Sequence, residues 1–194
     1  MQVEHMKEAM ALSDGGVLVP ERLMKGQVVA VGEYFHRHNR AGVNGPWVCD
    51  RNVVTNEWFN HILEVAFRSG TQLTNWYMTL YGTGFTPADS ETASSFGASG
   101  AELTSETDGY VNTTRPAWSP DAASGGQLDN TGSVVTFTFA TPDDVNVVGI
   151  AILSDNTKGG SSGKLASATN LASTRTFLDG DTYDVVYRIR LFAA

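Results

Sequence analysis

Cysteine is almost absent from this sequence. Cys49 stands alone among 194 residues, which excludes an intrachain disulfide framework and a cysteine-based metal site. The protein therefore does not depend on an oxidising compartment. Basic residues are scarce too, 13 against 21 acidic ones for a formal charge of -8, and only Arg37, His38 and Arg40 cluster. That balance argues against nucleic acid or an anionic membrane as partner. No apolar run approaches the roughly 18 residues of a membrane-spanning helix, and residues 1–24 lack the basic and apolar regions of a signal peptide. The expectation is a protein made in the cytoplasm. No repeat of 20 to 50 residues is visible.

What the sequence does contain is turn chemistry. Twenty glycines, with abundant Thr, Ser, Asp and Asn, suit many turns between short strands. The length fits one domain plus an arm. Residues 55–69 give the one helix expected: Thr55 is an N-cap, Glu57 sits in the first turn, and Gly70 is placed at C′. Trp58, Phe59, Ile62, Leu63, Ala66 and Phe67 recur at spacings of three and four. A single amphipathic helix is marginal alone in water, so other elements must cover that stripe.

Those elements are read as strands. Residues 27–35 form one, followed by a polar turn from His36 to Pro46 that returns as a hairpin through Trp47 to Cys49. Residues 75–81 form an aromatic strand covered on both faces. The stretch 82–109 is an excursion pinned by Phe85, Phe96 and Leu103, and 113–120 is extended at a sheet edge. Val135, Phe137 and Phe139 mark a half-buried strand. Residues 145–153 are apolar on both faces and read as central. Residues 155–164, with Lys158-Gly159-Gly160, read as a mobile surface loop because no phosphate-loop spacing closes it. Residues 183–191 alternate as a terminal strand with one buried face. The sum is about eight strands and one helix, a mainly β fold: a β-sandwich or jelly-roll-like domain over 26–194, preceded by an arm over 1–25. In the arm, Val17, Leu18, Val19, Leu23 and Met24 are too apolar for a solvated tail, which suits a segment that orders on a partner.

Catalytic constellations are not apparent. His36 and His38 would share a strand face, but no carboxylate stands at a matching offset for a metal. The pairs Asp143 with Asp144 and Asp179 with Asp181 lie in turns, where Asp bonds the local backbone. There is no Gly-x-Ser-x-Gly elbow, and Cys49 reads as a small core residue. The reading is therefore no enzyme, no metal and no cofactor. Trp47, Trp76, Tyr77, Tyr81, Phe85 and Trp118 could form a sugar-binding platform, although core burial is the ordinary fate of such side chains.

The run Asn52-Val53-Val54-Thr55-Asn56-Glu57-Trp58-Phe59-Asn60-His61-Ile62-Leu63, then Trp76-Tyr77-Met78-Thr79-Leu80, resembles structural proteins of tailed-bacteriophage virions. Further matches are Thr114-Arg115-Pro116-Ala117-Trp118, Lys158-Gly159-Gly160, and Arg175-Thr176 with Gly180-Asp181-Thr182. The resemblance spans about 26–194 and is closest to head decoration, or cement, proteins. It implies a jelly-roll-like subunit on the outside of the capsid that bridges major capsid proteins and meets copies of itself as a dimer or trimer. The alternatives are a tail, baseplate or fibre subunit, or a carbohydrate-binding β-sandwich module.

Overall fold

The computed structural model describes residues 28–193. The chain folds into two antiparallel sheets packed face to face. The first contains β1 (Val28–Arg40), β2 (Val43–Asn44), β3 (Val48–Arg51), β6 (Gly109–Tyr110), β8 (Gln127–Asp129), β9 (Val135–Ala140) and β12 (Thr182–Ala193). Its main path runs β2-β1-β12-β9-β6, with β3 on β1 and β8 on β12. The second runs β4-β11-β10-β5-β7, built from β4 (Val53–Val54), β5 (Trp76–Tyr81), β7 (Ala117–Trp118), β10 (Val145–Leu153) and β11 (Leu165–Phe177). Two helices, α1 (Asn56–Phe67) and α2 (Ala93–Ser99), complete the described residues. The fold is a mainly β sandwich.

The core follows from alternation. Phe137 and Phe139 of β9, Tyr183 and Val185 of β12, and Ile150 and Ile152 of β10 meet between the sheets. Inward-facing residues at every second position make one such layer. β10 is central, and Gly149 lets it approach β5 so closely that a Cβ would collide with the Tyr81 ring. A second apolar cluster lies on the far face of the second sheet, where Phe85 and Phe96 pack on Tyr81 and Leu153. The 82–109 excursion is thus pinned by those two rings, while Leu103 packs against the main core.

Several expectations are corrected. The described residues hold twelve strands and two helices rather than eight and one. β1 does not end at Phe35 but runs to Arg40, because its polar residues find partners across the sheet: His36 with Asp50, Arg37 with Asp184 and Asn39 with Thr182. β12 is interior to its sheet, and its outward Asp184 and Arg188 are buried as well as its inward face. β11 was not expected at all, since its Ala, Ser and Thr residues carry little apolar signal. Ser69, at φ 58, takes the left-handed position after α1 that Gly70 was expected to fill.

The loop 155–164 is anchored rather than mobile. Lys158 Nζ donates to the carbonyls of Tyr110 and Asn112, each at 3.0 Å, and lies 3.8 Å above the Tyr110 ring. Gly159 N–H donates to Glu102 at 2.7 Å. Arg115 Nη2 donates to the Gly160 carbonyl at 2.9 Å.

Candidate docking surface

Helix α1 begins firmly. Thr55 Oγ1 accepts from the Trp58 N–H at 3.2 Å and itself donates to the Leu165 carbonyl, tying the cap to β11. Glu57 Oε2 accepts from the amides of Ala93 and Leu165 at 2.9 and 2.7 Å, so its carboxylate joins the starts of both helices to the second sheet. Beyond the first turn the helix departs from the usual pattern of an amphipathic element on a core. Among the described residues none of α1 is buried. Leu63 is 53% exposed and Phe67 80% exposed. The apolar stripe is present, but only Trp58 of it packs against the main core.

Beside α1 a cleft of about 320 Å³ opens between the sheets. Its walls are Trp58 of α1, Trp76 of β5, Trp118 of β7, Leu128 of β8, and Tyr187 and Ile189 of β12, with Gln72 and Thr74 among its few polar residues. β7 and β8 are the edge strands on that side, so the opening is where neither sheet continues. A shallower groove of about 220 Å³ extends it along α1 past Ile62, Val65 and Leu73.

The apolar surface does not stop at the cleft. On β1 and β12 the residues facing the second sheet are Tyr34, Gly32, Ala30 and Val28, opposite Tyr187, Ile189, Leu191 and Ala193. Tyr34, Tyr187 and Ile189 are buried, whereas Leu191 is 38% and Val28 74% exposed. The row thus runs from the cleft wall out to the first described residue with progressively less cover. Arm residues Val17, Leu18, Val19, Leu23 and Met24 lie outside the described residues.

The remaining sites named from sequence hold the framework together. His36 Nε2 and Asp50 are 2.8 Å apart, and Asp50 also accepts from Ala172 N–H. His38 Nε2 is 2.9 Å from Asp181, which Arg40 grips through Nε and Nη2. Each imidazole therefore has its own carboxylate, and no group of three or more metal-ligating side chains comes together among the described residues. Asp181 accepts from the Leu178 N–H three residues back, the local backbone bonding expected of a turn aspartate, whereas Asp179 accepts from the Thr141 N–H, 38 residues away in the chain.

Cys49 is exposed, not a core residue, because it faces outward from β3. Partial burial and the nearby Glu33 and Asp50 carboxylates push its thiol up to about 11, so it is a poor nucleophile at neutral pH. Five of the six aromatics considered as a platform fall in three separate places. Trp47 packs on Phe35 and Val186 outside the first sheet, Trp118 and Trp76 flank the cleft, and Tyr81 and Phe85 are buried under α2.

Sequence reasoning missed the cleft. Trp58 read as part of the helix stripe and Trp76 and Trp118 as core or platform residues, and their convergence depends on which strands end at the sheet edges. The available signal was the α1 stripe, with more apolar residues than a helix lying half on a sandwich can cover.

The fold and this surface together define a two-sheet antiparallel β-sandwich with an uncovered apolar helix and an inter-sheet cleft. No family model matches the chain, and no curated protein matches it significantly.

Proposed function

We propose that this protein is a non-enzymatic virion structural protein, a decoration or cement subunit on the outside of a tailed-phage head that bridges major capsid proteins. The observation that carries the reading is exposed apolar surface in two places, Leu63 and Phe67 on α1, and Val28 and Leu191 on the β1/β12 row. Exposed apolar surface on an acidic, otherwise polar protein marks a contact with another protein. The resemblance of residues 52–63, 76–80 and 114–118 to decoration proteins supplies the identity of that partner. The arm residues Val17, Leu18, Val19, Leu23 and Met24 make the attachment, and copies of the chain meet as dimers or trimers across capsid symmetry axes. Neither nucleic acid nor membrane takes part.

The test is a cryo-EM map of the native particle together with occupancy of the double variant Leu18→Ser, Leu23→Ser. The expected result is density for this sandwich on the outer capsid and reduced occupancy of the variant. Density confined to tail, baseplate or fibre would replace the reading with the alternative structural role. Unchanged occupancy would remove the arm from the attachment.

A further inference from the structure

We propose that the apolar segment Val17–Met24 of the arm binds in the cleft between α1 and the sheet edges of its own chain when the subunit is free in solution. Three features of the molecule lead to this occupant. The cleft is lined mainly by apolar and aromatic side chains, with Gln72, Thr74 and the Tyr187 hydroxyl adding polar character, so aliphatic side chains fit it better than a hydroxyl-rich ligand would. Burying a Val or Leu side chain contributes about 1.5 to 3 kcal/mol, and this segment carries five large apolar residues within eight positions.

The second feature is the track that leads there. Ile189, a cleft wall, pairs with Gly32, and Leu191 with Ala30. Val28 lies four residues from Gly32, about 13 Å of strand. A chain that reverses at Gly26 would run back over Val28, Ala30 and Leu191 and reach the cleft with its own apolar residues. Val17 precedes Val28 by eleven residues, a reach of up to about 36 Å, which leaves slack for the reversal.

The third is tethering. A segment joined to its site by a short linker meets it at an effective concentration in the millimolar range, far above that of a second copy at ordinary protein concentrations. The same chain is therefore the favoured donor.

The experiment uses the full chain, without capsid, so its failure is separate from failure of the attachment reading. In a Cys49→Ser background, Leu18→Cys is combined with Gln72→Cys at the cleft rim. A control combines Leu18→Cys with Thr107→Cys, in the loop beside β6 at the other end of the first sheet. Mild oxidation is expected to give a disulfide-linked monomer for the first pair, at a rate independent of protein concentration, and much less for the control. Separately, Leu18→Ser with Leu23→Ser in the otherwise natural chain is expected to red-shift tryptophan emission and to increase acrylamide quenching, since the half-buried Trp58 and Trp76 lose their cover. Disulfide-linked dimers would assign the cleft to another copy's arm and overturn the proposal. Equal crosslinking of both pairs, or unchanged tryptophan emission, would overturn it as well.

Discussion

Glu102 and Arg115 are sealed from solvent and bonded to each other twice, Nε to Oε1 and Nη2 to Oε2, both at 2.7 Å. The remaining capacity is filled by Thr79 Oγ1, Gly159 N–H and the carbonyls of Asp155 and Gly160. Such a pair is costly to bury but far costlier to break, because removing one member strands the other's charge. Glu102→Ala is therefore expected to lower unfolding stability by about 3 to 5 kcal/mol in denaturant titrations. Arg68→Ala, which removes an exposed pair with Glu64, should change it by under about 0.5 kcal/mol. Similar losses for the two would contradict this account. Asp181 makes a different prediction. Burial acts to raise its carboxyl, but Arg40, the Leu178 amide and His38 outweigh it and hold the group at about 2 against an ordinary 3.8. Asp50 is lowered in the same sense, its burial outweighed by the bond to His36. A depressed folded value contributes stability that is present above the ordinary carboxylate range and lost as pH falls toward the folded value. The Tm gap between the parent protein and Asp181→Asn should therefore be widest near neutrality and close between pH 3.8 and about 2. A gap of constant size across that range would show that the carboxylate's charge is not what Asp181 contributes.

At the scale of elements, legibility in the sequence tracked the contrast between neighbouring side chains. β9 was plain because Phe and Val alternate with Thr, and α1 because its cap, acidic first turn and apolar stripe agree. β10 was readable as central from apolar residues on both faces. β11 has no such contrast: its buried positions are filled mostly by Ala, Ser and Thr, whose polar atoms are satisfied in the fold, as when Ser167 Oγ meets Tyr34 OH at 2.7 Å and Thr169 Oγ1 donates to the Arg51 carbonyl. Small side chains allow that strand to lie between β4 and β10, and the pattern of what opposes them is non-local. The far half of β1 was hidden for the same reason. His36, Arg37, His38 and Asn39 read as a turn until Asp50, Asp184 and Asp181, up to 147 positions away, are brought opposite them. α2 is seven residues, all small except Phe96, held by a Thr92–Ser95 capping box, a signal too short to separate from loop. Of the candidate site, the apolar character of α1 was legible and the cleft was not, because a cleft is defined by where strands stop.

For the molecule as a whole, the decisive feature is that the first described strand and the last pair with each other in the interior of one sheet. β1 and β12 run antiparallel in continuous register from Val28 opposite Ala193 to Asn39 opposite Thr182. β12 also carries β9 on one stretch and β8 on another, so the sheet is incomplete until both ends of the domain are in place. Long-range closure of this kind ties the stability of every strand to the whole and favours all-or-none unfolding. The whole β1–β12 pairing is made by residues from Val28 onward. Deleting residues 1–25 is therefore expected to leave a single cooperative denaturation with nearly the parent's denaturant dependence, since that slope follows the surface buried by the sandwich. Truncation after Tyr187, which removes fewer residues than those 25 from the opposite end, strips β8 and the first half of β1 of their partners. Its product should lose the cooperative transition. Circular dichroism and intrinsic fluorescence followed through urea would decide the matter. A molten or insoluble product from the 1–25 deletion would mean that the sandwich needs the arm to fold, and the boundary between arm and domain would have to move toward the N-terminus.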